Sequence, residues 1–228
     1  ILENVQRKER DVEAMMTEMV SHLADMQQEE LVTPVTAVPP QALTTHTGPG
    51  WTLLEGDCVD GLATLPDNSV HLTVSSPPFL ALYQYSATER DIGNSQNSTA
   101  FFAHFKYMAD QLLRVTVPGR HVCFHVSQVP AMLVRDGWIG MKDFRGELVR
   151  HMGEWGWLYH GECVVDKDPQ AQAIRIKAKG LSFGQLHKDS SWMRPALADY
   201  LLLFRKPGEN PLPIIPDVTN DEWIQWAR

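Results

Sequence analysis

The sequence predicts an α/β fold in which a mostly parallel sheet is covered by helices on both faces. The first observation is that short strand-like apolar runs alternate with segments of helical periodicity between residues 51 and 205. The second is a rigid corner, Ser76-Pro77-Pro78-Phe79, directly after the apolar run Val70-His71-Leu72-Thr73-Val74. Open α/β sheets bind their ligands at the carboxyl ends of strands, so this corner is the expected place for chemistry.

The elements follow one another in an order that supports this fold. Strands are predicted over 51–55, 70–74, 121–126, 157–165 and 200–204, and helices over 59–65, 100–115 and 144–155. Ser98 or Thr99 is the expected N-cap of the long middle helix, and Pro118-Gly119 is expected to end that unit. The loop from Leu80 to Asn97 is longer than a simple connection needs and could act as a lid or be a mobile surface loop.

Length and composition indicate one globular domain with an extension. The chain has 228 residues, of which 43% are hydrophobic and 21% charged, and it contains no apolar run long enough to cross a membrane. Its three cysteines are far apart and form no Cys-x-x-Cys pair, so neither a zinc nor a redox centre is predicted. We therefore expect a cytoplasmic protein without a metal.

Charge is segregated along the chain, although the net charge of −8 argues against a protein that coats nucleic acid over its whole surface. Residues 1–30 hold eight acidic side chains against three basic ones. A later stretch is basic and contains Arg175, Lys177, Lys179, Lys188 and Arg194 against the single acid Asp189. DNA contact is the favoured role for this stretch, and a solvated loop is the alternative.

The two ends of the chain predict further regions. Residues 1–31 have the periodicity of an amphipathic helix from a preceding region, and its acidic polar face favours packing against a neighbour over a membrane. A Pro/Thr-rich linker is predicted over 32–50, the domain over 51–208, and the start of a C-terminal extension over 209–228. The chain begins inside a predicted helix and ends after an aromatic-rich stretch, so we expect a fragment of a longer protein.

The Pro-Pro corner is chemically informative because two consecutive prolines fix two φ angles and remove two backbone donors. Carbonyl acceptors are then left free beside the aromatic face of Phe79. The alternative is a rigid turn with a buried phenylalanine, but a polar-Pro-Pro-aromatic match arises by accident in only about one chain of this length in a hundred.

Several motifs together resemble the DNA amino-methyltransferases, which methylate the exocyclic amino group of cytosine or adenine. Gly56-Asp57-Cys58, followed by Ser76-Pro77-Pro78-Phe79, resembles the opening of the family in its permuted order. The resemblance covers roughly residues 51–208 and includes Leu112-Leu113-Arg114-Val115 with Pro118-Gly119, Val164-Val165-Asp166-Lys167 and the closing run from Asp199 to Lys206. It implies a Rossmann-like S-adenosylmethionine-dependent methyltransferase fold, with an insert at about 167–198 that faces DNA.

The resemblance also implies roles for individual residues. Ser76 Oγ and the Pro77 carbonyl would accept hydrogen bonds from the amino group, Pro78 would stiffen the frame, and Phe79 would stack on a base rotated out of double-stranded DNA. Asp57 and Cys58 would lie near the adenosine of S-adenosylmethionine. A helix N-cap for the segment starting at Val59 is the alternative for Asp57.

The sequence departs from the family in one respect. It lacks the glycine-rich Phe-x-Gly-x-Gly turn that binds the cofactor, so we expect an incomplete domain that ends early or is completed by another chain. The strand at 51–55 should then be separated from the strand at 70–74 by two strands supplied from elsewhere.

Finer assignments are expected as well. The run His187-Lys188-Asp189-Ser190 favours a phage or mobile-element member with a helicase-like region before Ile1. Serine at the head of the motif leans toward cytosine as the target. An RNA or protein methyltransferase, or an inactive nucleic-acid-binding module, remains the alternative function.

Some residues receive a structural interpretation. His121 and His125 share one face of a strand with Cys123, but without a fourth ligand they are expected to be core or edge histidines. The residues Trp155, Trp157, Trp223 and Trp226 are expected to pack rather than to bind bases.

Overall fold

The computed structural model describes residues 42–80, 85–86, 88–95, 97–131, 133–168, 197–213 and 215–227. Its centre is a four-stranded sheet. In the order in which they pair, its strands are β3 (Val70–Ser75), β4 (Thr116–Ser127), β8 (Ala198–Arg205) and β7 (Leu158–Asp166). All four lie where the sequence predicts strands, although β4 begins five residues earlier than expected.

The pairing of the described sheet is mixed, whereas a mostly parallel sheet was predicted. β3 and β4 are parallel, but β8 is antiparallel to both β4 and β7. A parallel neighbour needs a crossover connection, usually a helix. Between β7 and β8 the sequence predicts a basic insert rather than a crossover helix. For this reason the alternation of strands and helices predicts the wrong direction for the last strand.

Two long helices cover one face of the sheet and form the core with it. They are α2 (Ser98–Val115) and α4 (Phe144–Glu154). Their buried side chains meet alternate residues of the central strands, and the resulting cluster includes Phe101, Phe105, Val122, Phe124, Val126, Phe144, Leu148, Met152, Leu202 and Phe204. Since successive side chains of a strand point to opposite faces, the buried set identifies this face as the core side.

The opposite face of the sheet is exposed along β3 and half-buried along β4 within the described residues, although helices on both faces were predicted. Leu72 and Val74 on β3 are 61% and 69% exposed. They lie in register with His121 and Cys123 of β4, which places all four on the face away from Val122. None of the described helices has the length and apolar character needed to span a membrane.

A separate hairpin precedes the sheet. Strand β1 (Thr44–Gly48) pairs antiparallel with β2 (Trp51–Glu55), so a strand lies in the part of the predicted linker that the structure describes. The linker prediction misses β1 because Thr-rich segments near prolines read as irregular chain, whereas threonine has a high strand propensity once a partner is present. Hydrogen bonds join β2 to β1 and not to β3, consistent with the expected separation of β2 from β3.

Two element ends differ from the prediction. The N-cap of α2 is Asn97, whose Oδ1 accepts a hydrogen bond from the backbone N–H of Ala100 at 2.9 Å, so the cap lies one residue before Ser98. Pro118-Gly119 does not end the unit but lies inside β4. Gly119 has a φ of +76°, and a Cβ there would come within 2.8 Å of the Asn210 backbone nitrogen, so this kink of the strand requires glycine.

The remaining elements are short. Helix α1 (Cys58–Ala63) packs on α2, and β5 (Val129–Ala131) forms a small antiparallel pair with β6 (Gly140–Lys142) around α3 (Leu133–Asp136). Helix α5 (Asn220–Trp226) begins with a capping box between Thr219 and Glu222. Trp157 is buried and Trp155 packs against the core, as expected, whereas Trp223 and Trp226 are exposed and contact each other.

Candidate active site

The corner Ser76-Pro77-Pro78-Phe79 follows the carboxyl end of β3, as the sequence predicts. Ser76 is exposed, Pro77 is buried, and the next residue after the corner, Leu80, is buried with a φ of +54°. The Phe79 ring is half-buried, with its centroid 6.1 Å from both the His125 and the Phe144 rings. The corner is therefore anchored by its apolar members while the serine hydroxyl faces solvent.

A chain of hydrogen bonds leads away from the Ser76 hydroxyl. Ser76 Oγ lies 3.1 Å from His125 Nδ1 on β4 and 3.3 Å from the His125 carbonyl oxygen. His125 Nε2 lies 3.2 Å from Asp199 Oδ2 on β8. Lys167 Nζ, just after β7, donates to Asp199 Oδ1 at 2.6 Å. Four residues from four parts of the sheet are thus joined at one end of it.

Burial differs along this chain. The side chains of Asp199 and Lys167 are 14% and 16% exposed, whereas that of His125 is 37% exposed. Burial opposes ionisation of Asp199, but the hydrogen bonds from Lys167 and Ser127 and the charge of Lys167 outweigh it and lower the pKa of the carboxyl. Asp199 is therefore a carboxylate at neutral pH, and it can only accept hydrogen bonds.

Asp57 lies at a different place, between β2 and α1. Its Oδ1 accepts from the backbone N–H of Val59 at 2.8 Å, so the N-cap interpretation is confirmed. Its Oδ2 pairs with Arg90 Nε at 2.9 Å, and Arg90 also donates to Asp60 at 2.9 Å. Cys58 is the exposed first residue of α1.

Arg90 belongs to the loop that was predicted as a lid. In the described part of that loop, Asp91 accepts hydrogen bonds from the backbone N–H groups of Tyr85, Ser86 and Gly93 at 2.7–3.0 Å. Arg90 ties the same segment to α1 through its two aspartate partners. The described part of the loop is therefore held by hydrogen bonds within the loop and by ion pairs to Asp57 and Asp60.

Comparison with known proteins finds similarity to methyltransferases. Searching family models produced no match for this chain. The type II methyltransferase M.SfiI of Streptomyces fimbriatus is 44% identical over 50 residues, which are 22% of this chain and 12% of that protein. A candidate DNA modification methylase of Thermus thermophilus, solved with S-adenosyl-L-methionine, superposes with a TM-score of 0.51 and 20% identity. Its selenomethionine derivative superposes with a TM-score of 0.50 and 18% identity.

The chain is thus similar over 50 residues to a type II methyltransferase. Its fold is the Rossmann-like fold of S-adenosylmethionine-dependent methyltransferases, as the sequence predicts. The superposition covers 76% of this chain but 62% of the Thermus methylase, and the sequence match covers a small part of M.SfiI. The chain therefore matches only part of the length of each of these two proteins.

The structure brings together only some of the residues that the resemblance to amino-methyltransferases picks out. Ser76, Pro77, Pro78 and Phe79 form one corner at the end of β3, and Asp57 and Cys58 begin α1. The predicted DNA-binding residues lie outside the described part of the chain, and so does the predicted amphipathic helix. Among the described residues, no cluster of three or more His, Cys, Asp or Glu side chains could hold a metal ion.

Sequence reasoning missed three residues of this site. The sequence predicts His125 to be a core or edge histidine, and Asp199 and Lys167 enter only as parts of strand motifs. Each is polar and lies near an end of a sheet strand, and the antiparallel direction of β8 brings its first residues beside the last residues of β4 and β7. Polar residues at strand ends were therefore the available signal, but only the mixed pairing shows that these three meet.

Proposed function

We propose that this chain is the catalytic part of a site-specific DNA methyltransferase. It would transfer a methyl group from S-adenosylmethionine to the exocyclic amino group of cytosine or adenine in a base rotated out of the duplex. The observation that carries the proposal is the exposed Ser76 hydroxyl, held beside Phe79 by a rigid Pro-Pro frame at a strand end of a methyltransferase fold.

The residues of the corner fit this reaction. An exocyclic amino nitrogen is a poor nucleophile because its lone pair is delocalised into the ring, and acceptors placed at both N–H bonds let it pyramidalise. Ser76 Oγ and the Pro77 carbonyl supply such acceptors, preorganised by the prolines. Phe79 offers a stacking face worth about 1–3 kcal/mol per base. S-adenosylmethionine, when bound, supplies a methyl group whose bond to sulfur breaks with the electron pair remaining on sulfur.

Asp57 fits one contact with this cofactor. A carboxylate has about four acceptor positions, and three are used by the N–H groups of Val59 and Asp60 and by Arg90. One position is left on a side chain that keeps 20% of its surface exposed. Asp57 would use it for a ribose hydroxyl or the adenine amino group, with Cys58 beside it.

The biological setting is part of the proposal. The resemblance to phage and mobile-element methyltransferases supports a modification enzyme of such a system, working in the cytoplasm, with a helicase-like region before Ile1 in the same polypeptide. Serine at the head of the motif favours cytosine as the target base.

Transfer of a labelled methyl group tests the proposed function. The full-length protein should label double-stranded DNA in a sequence-dependent way, and the label should be recovered as an N-methylated base. RNA of the same sequence and bulk protein serve as competing substrates. Label in RNA or protein alone would contradict the DNA assignment, and cofactor binding without transfer to any substrate would favour a non-catalytic module.

The basic stretch should contribute phosphate contacts. Lys177→Glu and Lys188→Glu are each expected to weaken DNA binding and to reduce the slope of log affinity against log salt by about 1, because each lysine releases about one counterion. Fluorescence anisotropy over a salt series measures both quantities. Lys106→Glu is the matched control, because Lys106 lies on α2 and pairs with Asp110. An unchanged slope in both test variants would move the DNA-binding face elsewhere.

A further inference from the structure

We propose that His125, oriented by Asp199, keeps Ser76 in its hydrogen-bond-accepting arrangement and receives the proton that leaves the amino nitrogen. The inference rests on the proposed function, and it assigns His125 and Asp199 as positioning residues behind Ser76. It is carried by the continuous contacts from Ser76 Oγ to His125 Nδ1 and from His125 Nε2 to Asp199 Oδ2.

The first step of the argument concerns the tautomer of His125. Because Asp199 is ionised and can only accept, the imidazole nitrogen facing it must carry a hydrogen, which places the proton on Nε2. In the neutral ring Nδ1 is then a bare acceptor, and the Ser76 O–H group donates to it across 3.1 Å. The lone pairs of Ser76 Oγ are left to face an incoming amino group.

The second step concerns the proton. After methyl transfer the amino nitrogen carries a positive charge and must lose one proton. That proton passes to Ser76 Oγ as the Ser76 hydroxyl proton passes to His125 Nδ1, so the serine ends as a neutral hydroxyl and the histidine as an imidazolium. The Asp199 carboxylate stabilises the new charge on His125. The side chain of His125 is 37% exposed, which gives the proton a route to water.

Protonation of His125 reverses the arrangement at Ser76. The imidazolium donates from Nδ1 into Ser76 Oγ, and the serine hydroxyl turns to the His125 carbonyl oxygen at 3.3 Å. Ser76 is then a weaker acceptor for the amino group. Among the described residues, the charged groups that face His125 from packed elements are Asp199 on β8 and, behind it, Lys167 after β7, while Phe79 contributes an uncharged ring.

This arrangement predicts the pH dependence of methyl transfer. The single-turnover rate should be full while His125 is neutral and should fall on the acidic side of the profile, where the ring is protonated. His125→Phe keeps a ring against Phe79 but removes both nitrogens, and it should lower the rate by about 100-fold or more and abolish this acidic limb. Asp199→Asn should lower the rate through loss of the Nε2–H tautomer.

His121→Phe is the matched control, because His121 lies on the same face of β4 and contacts His160 instead. It should keep both the rate and the pH profile. An active parent whose rate and pH profile survive in His125→Phe would overturn the inference while leaving the proposed function intact.

A measurement without turnover checks the geometry separately. The ¹⁵N chemical shifts of the His125 ring in the full-length protein at neutral pH should show the Nε2–H tautomer, and Asp199→Asn should shift the ring toward Nδ1–H. An Nδ1–H tautomer in an active parent would overturn the inference alone. A parent with the Nε2–H tautomer that transfers no methyl group to any substrate would contradict the proposed function, and with it the proton transfer.

Discussion

Ser76→Ala is expected to lower kcat for methyl transfer by about 100-fold to 1,000-fold, the loss found when one preorganised hydrogen-bonding group is removed from a reacting centre. The variant removes the Ser76 hydroxyl, which is the proposed acceptor for the amino group and also contacts His125 Nδ1. Because Ser76 is exposed, the free energy of unfolding should change by no more than about 0.5 kcal/mol. Single-turnover methyl transfer and urea unfolding in the full-length protein measure the two effects.

Phe79→Ala separates base binding from chemistry. It removes the stacking face and should weaken binding of DNA with an extrahelical target base by about 1–3 kcal/mol. Since the ring also packs near Phe144, Phe79→Leu serves as a second variant that keeps apolar volume without an aromatic face. Full activity in both Ser76→Ala and Phe79→Ala would refute the role of the corner.

Phe105→Ala should have the largest effect on stability. Phe105 on α2 is fully buried, and its ring lies 5.5 Å from Phe124, 5.8 Å from Phe101 and 6.2 Å from Trp155. Truncation leaves a cavity between the helix and β4, and such Phe-to-Ala changes cost about 3–5 kcal/mol. Urea unfolding followed by circular dichroism gives the difference.

Tyr107→Ala is the control for this experiment, because Tyr107 lies two residues further along the same helix and is 66% exposed. It should change stability by no more than about 0.5 kcal/mol. Equal losses in the two variants would contradict the assignment of the core face, and a loss below about 1 kcal/mol in Phe105→Ala would show that the site collapses without a cavity.

The elements themselves were predictable from the sequence because local patterns determine them. The strand Trp51–Glu55 has the predicted bounds, and the buried positions of α2 follow the helical spacing of Phe101, Phe105, Met108 and Leu112. The corner could also be located, because prolines act on their own backbone whatever surrounds them.

The direction of strand pairing and the hydrogen-bonding partners of the site were less predictable, because both depend on residues far apart in sequence. Nothing local distinguishes a parallel from an antiparallel β8, and the contact between His125 and Asp199 joins residues 74 positions apart. The sequence therefore predicts only a core or edge histidine at His125, because its hydrogen-bonding partners come from other strands. For Asp57 the sequence likewise leaves open a helix N-cap or a cofactor contact, and only the observed bonds to Val59 and Arg90 show the N-cap.

The position of β8 has a consequence for how the protein folds during synthesis. This strand lies between β4 and β7 but is the last strand in the described chain. At about 5–20 residues per second, a ribosome needs roughly 2–8 s to extend the chain from the end of β7 to the end of β8. Throughout that interval β4 and β7 have no strand between them, so pairing near the carboxyl end closes the sheet late and makes its formation slow.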